Sequence, residues 1–214
     1  MSLSYPEKLV LIPADSVQLE GSLALPERTQ SLVVFAHGSG SSRFSPRNNF
    51  VAQVLRQAGI GTLLMDLLTE EEDAVYATRF DIDLLTTRLL LTTHWLKEQP
   101  DTRNLIIGYF GASTGAAAAL KAAASLGFSI GAVVSRGGRP DLAEQALIHV
   151  QSPTLLIVGS NDEVVLQLNR KAFARLAGKK ELVIVPGATH LFEEPGALEA
   201  VARLATRWFQ RYLQ

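Results

Sequence analysis

The hydrophobic and polar positions change rhythm several times along the chain, and the changes mark out its elements. Lys8 to Pro13 and Val17 to Leu25 alternate or run apolar on either side of Ala14-Asp15-Ser16, the pattern of an antiparallel hairpin. Ser31 to Ala36 (SLVVFA) is apolar throughout, as expected of a strand covered on both faces. Ser45 and Pro46 read as the cap and first turn of a helix reaching about Ala58, with Phe50, Val51, Val54 and Leu55 on one side and Gly59 as its stop. Ile60 to Asp66 is the next strand, followed by an acidic connection, Thr69 to Asp73, expected to be a solvated loop. A helical period from Phe80 to Lys97 sets Ile82, Leu85, Leu89 and Trp95 roughly on one face.

The second half repeats the unit. Leu105 to Phe110 is a strand feeding an alanine-rich helix, and Ile130 to Ser135 is a strand followed by a helix to about His149. Thr154 to Val158 and then Val164 to Leu176 form another pair. Glu181 to Val185 and an amphipathic helix from Pro195 to Leu213 close the chain. A hairpin followed by six strand–helix alternations predicts an α/β fold, a mostly parallel doubly wound sheet with helices on both faces. No linker, repeat or low-complexity tract interrupts residues 1–214, so one domain without a large lid is expected.

Composition narrows the function classes. The 214 residues are 47% hydrophobic and 19% charged, enough to bury a sizeable core. A net charge of −1 gives no footprint for nucleic acid or a membrane surface. Apolar runs such as Leu63 to Met65 and Ala116 to Leu120 are too short to span a bilayer. The N-terminal stretch MSLSYPEKLV lacks a basic segment followed by an apolar one, so no leader and a cytoplasmic location are expected. With no cysteine, disulfides, thiolate metal sites and a cysteine nucleophile are excluded. The histidines lack zinc-ligand spacing, and neither metal nor cofactor is expected.

The chemistry gathers where strands end, which is where open α/β sheets form their sites. Gly111-Ala112-Ser113-Thr114-Gly115 is a G-x-S-x-G run between a strand and a helix. Small flanking residues permit a turn sharp enough to lift the Ser113 hydroxyl to the sheet's upper edge. Asp162 follows the fifth parallel strand and His190 the sixth, while His37-Gly38-Ser39-Gly40 follows the first. A hydroxyl becomes a useful nucleophile when an imidazole takes its proton and a carboxylate fixes that imidazole. Each residue also has a plainer use: Ser113 and Asp162 suit helix caps, with Glu163 as the alternative acid, and His37 suits a loop-shaping hydrogen bond.

These residues and their order resemble the α/β-hydrolases, in particular the dienelactone hydrolase-like branch, over essentially the whole chain. The resemblance implies Ser113 as nucleophile, Asp162 as acid, His190 as base, and the backbone N–H groups of Ser39 and Thr114 as oxyanion hole. It implies a small-molecule ester substrate, with thioester and lactone chemistry open to the same machinery. Dienelactone hydrolases proper use a cysteine where this chain has Ser113, which favours ester over lactone hydrolysis. Arg43, Arg47, Arg136 and Arg139 follow strands at the same edge and are candidates to bind an acidic substrate. Two other classes stand beside this one. A non-catalytic binding protein on the same scaffold, monomer or homodimer like the enzyme, would leave the triad unused. A nucleotide-dependent oxidoreductase would rest on Gly38-Ser39-Gly40 alone, without a third glycine at the fingerprint spacing.

Overall fold

In the computed structural model, which describes residues 6–214, eight strands form one sheet in the order β1-β2-β4-β3-β5-β6-β7-β8. The strands are β1 (Lys8–Ala14), β2 (Val17–Ala24), β3 (Ser31–Ala36), β4 (Gly61–Met65), β5 (Ile106–Ala112), β6 (Ile130–Arg136), β7 (Thr154–Gly159) and β8 (Lys180–Val185). β1 pairs antiparallel with β2, β2 pairs antiparallel with β4, and every other pairing is parallel. The hairpin closes at Asp15, whose φ of 55° gives the tight turn its left-handed residue. The expectation about a leader falls partly on residues 1–5, outside the described residues.

Successive residues of a strand face opposite sides, so the unbroken apolar runs supply two cores. In β3, Leu32, Val34 and Ala36 pack with one layer, and Val33 and Phe35 with the other. The first layer holds α3 (Ile82–Glu98) and α4 (Thr114–Leu126); the second holds α1 (Pro46–Gln57) and α6 (Ala197–Tyr212). α4 lies close to the sheet because Ala116 to Ala119, Ala122 and Ala123 are small and fully buried. α6 turns Val201, Ala205, Trp208 and Phe209 inward at helical spacing. Each large side chain so buried contributes roughly 1.5–3 kcal/mol.

Two expected elements differ. The acidic stretch after Thr69 is not an open loop but a short helix, α2 (Glu70–Ala74). The Thr69 hydroxyl accepts from Glu72 N–H while the Glu72 carboxylate accepts from Thr69 N–H, a reciprocal cap that turns the acidic run into a helix start. Residues Pro140–His149 form tight 3₁₀ turns rather than an α-helix, broken at Glu144 with φ 51°. α5 (Glu163–Arg175) completes the helices.

Candidate active site

The parallel strands end together, and the turn after β5 is the sharpest of them. Ser113 adopts φ 50° and ψ −121°, a strained combination for a residue with a side chain. Its surroundings enforce the corner. Ser113 N–H donates to the Arg136 carbonyl at 3.3 Å, and the Ser113 carbonyl accepts from Arg139 N–H at 3.0 Å and Ala116 N–H at 3.1 Å. The flanking glycines are required sterically. A Cβ on Gly111 would lie 2.4 Å from Ala116 Cα, and one on Gly115 would lie 2.3 Å from the Ala36 carbonyl oxygen.

Asp162 occupies the N-cap position of α5, yet its side chain makes no capping bond. It turns instead to His190, whose Nδ1 lies 2.6 Å from Asp162 Oδ2. Nδ1–H donates to the carboxylate, which leaves Nε2 free to accept a proton. Parallel pairing of β7 with β8 brings the two loops side by side. Gly159 lets them close, since a Cβ there would fall 2.1 Å from the Ala188 carbonyl. Asn161 N–H then donates to that same carbonyl at 2.9 Å. Glu163, the alternative acid, is exposed. His190 is 37% exposed in its side chain, so the site opens to solvent.

The loop after β3 abuts the serine: a Cβ on Gly38 would sit 3.0 Å from Ser113 Cβ. Ser39 N–H donates to the Thr114 hydroxyl at 2.9 Å. The His37 Nδ1–H donates to the Gly38 carbonyl at 2.9 Å, and Nε2 accepts from Leu67 N–H at 3.0 Å. Burial lowers the pKa of this histidine, so its ring is a neutral strut between the loops after β3 and β4. A cavity of about 300 Å³ lies beside this loop, lined by Ser41, Ser42, Phe44, Asp66, Thr69 and Glu70 among others.

Each of the four arginines expected on a substrate rim is engaged within the protein. Arg43 forms ion pairs with Asp66 and Glu20, and Arg139 forks onto Asp141. Arg47 pairs with Glu193 at 3.0 Å. Arg136 is buried, with Asn48 Oδ1 at 3.4 Å, and its guanidinium lies 5.8 Å from the centre of the Phe192 ring. Burial, and then the nearby Arg47 charge, push its pKa down to about 10. Two groups near the site had no signal in the chemistry-bearing motifs. Arg79 reaches the loop at Gly40 while donating to the Asp73 carbonyl at 2.6 Å. Glu194 accepts from the Thr189 N–H at 3.0 Å and hydroxyl at 2.6 Å, and those bonds hold its carboxyl below the usual range.

A sequence model of the dienelactone hydrolase family matches residues 23–214. The chain belongs to the dienelactone hydrolase family. A crystal structure described as dienelactone hydrolase from Anabaena variabilis is 55% identical, with a TM-score of 0.96 over 98% of this chain and 99% of that one. Among curated proteins, two from Mycobacterium tuberculosis named putative phosphoribosyl transferase are 59% identical over 204 residues. The match covers 95% of this chain and 46% of theirs, so the chain spans about half the length of those relatives. Est1E from Butyrivibrio proteoclasticus, at 17% identity and a TM-score of 0.81 over 95% of this chain and 98% of that one, shares the fold. Among the described residues no helix is long and apolar enough to cross a membrane, and no group of three or more His, Cys, Asp or Glu is placed to hold a metal ion.

Proposed function

We propose that this member of the dienelactone hydrolase family is a serine hydrolase of small carboxylic esters, working through an acyl-enzyme. The observation that carries the reading is the 2.6 Å contact between His190 Nδ1 and Asp162, on the same sheet edge as the strained Ser113 corner. The Ser113 hydroxyl attacks the ester carbonyl carbon as His190 Nε2 takes its proton, and Asp162 steadies the imidazolium. The oxygen, now negative, is met by Thr114 N–H at the start of α4 and by Ser39 N–H, which exchanges the Thr114 hydroxyl for the oxyanion. His190 returns the proton to the departing alcohol. Water then attacks the acyl carbon with His190 again as base, releasing the acid and restoring Ser113.

The engaged arginines argue for an ester recognised by its acyl shape rather than by a second acid group. The cavity of about 300 Å³ beside the oxyanion loop offers room for one arm of a modest substrate. The transferase named for the M. tuberculosis relatives describes proteins of which this chain matches 46%, and no step above asks for a phosphoribosyl donor. Pre-steady-state hydrolysis of p-nitrophenyl acetate tests the reading. A burst of one equivalent of p-nitrophenol per protein, absent from Ser113→Ala, is expected. Turnover retained in Ser113→Ala would overturn it, and folded protein without turnover of any short ester would leave a binding protein on this scaffold.

A further inference from the structure

The buried arginine at the end of β6 touches both halves of the site, and it does so through different atoms. Its carbonyl accepts Ser113 N–H at 3.3 Å, one of the bonds holding the strained corner. Its guanidinium lies 5.8 Å from the centroid of the Phe192 ring, two residues beyond His190. Phe192 is fully buried at φ 57°, a conformation an aromatic residue adopts only when its surroundings hold it there. The same turn is fastened twice more. Arg47 pairs with Glu193, and Glu194 takes both hydrogen bonds from Thr189. The residue after Arg136 completes the approach: a Cβ on Gly137 would lie 3.1 Å from the His190 carbonyl and 3.5 Å from His190 Cε1.

A guanidinium this deeply buried is expensive, and here Asn48 is its hydrogen-bond partner, with no carboxylate among the described residues paired to it. Being about 5% exposed, it is not placed to meet a substrate directly. What it does meet is the turn that carries the imidazole. We propose that Arg136 is a positioning residue that sets the His190 turn against the Ser113 corner, its backbone holding the nucleophile and its side chain holding Phe192. Arg47, on α1, braces the same turn through Glu193. This inference rests on the hydrolase reading above, since it concerns the register between the proposed nucleophile and base.

A double-mutant cycle on a neutral short-chain p-nitrophenyl ester tests it, using Arg136→Met, Phe192→Leu and the combination. Wild-type protein must first turn over the ester and react at Ser113 with a fluorophosphonate. Failure there counts against the hydrolase reading and is seen before any variant is made. The expected result is a fall of roughly 10- to 100-fold in kcat for each single variant, with KM within about twofold, because a misplaced base slows chemistry more than binding. Fluorophosphonate labelling should slow in proportion, and the double variant should fall little further than either single one. A purely structural arginine would instead lower the melting temperature while active-site-titrated kcat stayed at the wild-type value, and that result overturns the proposal. So does full multiplication of the two losses. If Arg136→Met does not fold, the cycle is run with Arg136→Lys, which keeps the charge and loses the planar group over Phe192, and is judged by the same criteria.

Discussion

Gly115→Ala places one methyl group where the structure has no room for it. Its Cβ would stand 2.3 Å from the Ala36 carbonyl oxygen and 2.4 Å from that of His37, against ordinary contact at 3.4 Å or more. Both neighbours are backbone at the end of β3, so rotamer changes give no relief, and α4 and the β3 end must part by on the order of 1 Å. Overpacking of this kind costs about 1–3 kcal/mol, and rigid backbone on both sides puts this case toward the upper part. Alanine's better helix propensity offsets at most about 1 kcal/mol. A net loss of about 2 kcal/mol corresponds to a melting temperature about 4–8 °C lower for a chain of this size. Activity should suffer more, because the displaced backbone leads directly into Gly38 and Ser39, and moving the proposed oxyanion donor Ser39 by about 1 Å costs around 100-fold. Thermal melting by circular dichroism and kcat/KM on a short ester read the two effects. Gly59→Ala is the control: Gly59 has φ +81° with open space around it, after α1 and away from the site, so alanine there should cost stability alone. Gly115→Ala with wild-type melting and activity, or with no more loss of activity than Gly59→Ala, would refute the steric argument.

Three further outcomes are expected. Asp162→Asn replaces the carboxylate facing His190 Nδ1 with an amide whose N–H can donate to that nitrogen, which favours the wrong tautomer, so kcat should drop about 10⁴-fold. Since the Asp162 side chain caps nothing on α5, the melting temperature should change little. His37 is neutral in the fold because burial lowers its pKa from 6.5. The unfolded chain therefore takes up the proton first as the pH falls, so this contribution to stability is whole above about pH 6.5 and is lost progressively below it. Urea denaturation of His37→Asn beside wild type should show a shallower loss between about pH 7.5 and 5, and parallel curves would contradict it. Arg139 is already forked onto Asp141, so Arg139→Gln should leave KM the same, within about twofold, for esters with and without a free carboxylate. A selective rise in KM for the acidic ester would return this arginine to the substrate site.

Much of the fold was legible because the signals were local. The stretches on either side of Ala14-Asp15-Ser16 mark the hairpin, and the apolar run of β3 marks a strand covered on both faces, whereas the exposure of Leu9 and Leu11 on β1 has no counterpart in a sequence apolar from Leu9 to Ala14. The same holds for the candidate triad, whose members each sit just past a strand that the pattern identifies. Where the reading went astray, the cause lay in other parts of the chain or in a cue passed over. Thr69 and Glu72 stand at capping-box spacing, a cue for α2 that the acidic character of the segment obscured. The break at Glu144 had no local cue. The partners of Arg47 and Arg136 lie far along the chain. Arg47 finds its partner 146 residues away, and Arg136 is buried by α1 and by the turn after His190, so no neighbouring residue announces their fate. Arg79 likewise gains its place only through the Asp73 carbonyl on α2 and the loop at Gly40.

The central claim, that Ser113 is a nucleophile activated by His190, is tested most directly by intact-mass analysis after reaction with a fluorophosphonate. Wild type, Ser113→Ala and His190→Ala are compared under identical conditions. One adduct on wild type, none on Ser113→Ala and a much slower reaction on His190→Ala is the result expected of the assembled triad. Folded wild-type protein that takes no adduct, or an adduct that persists in Ser113→Ala, would contradict it.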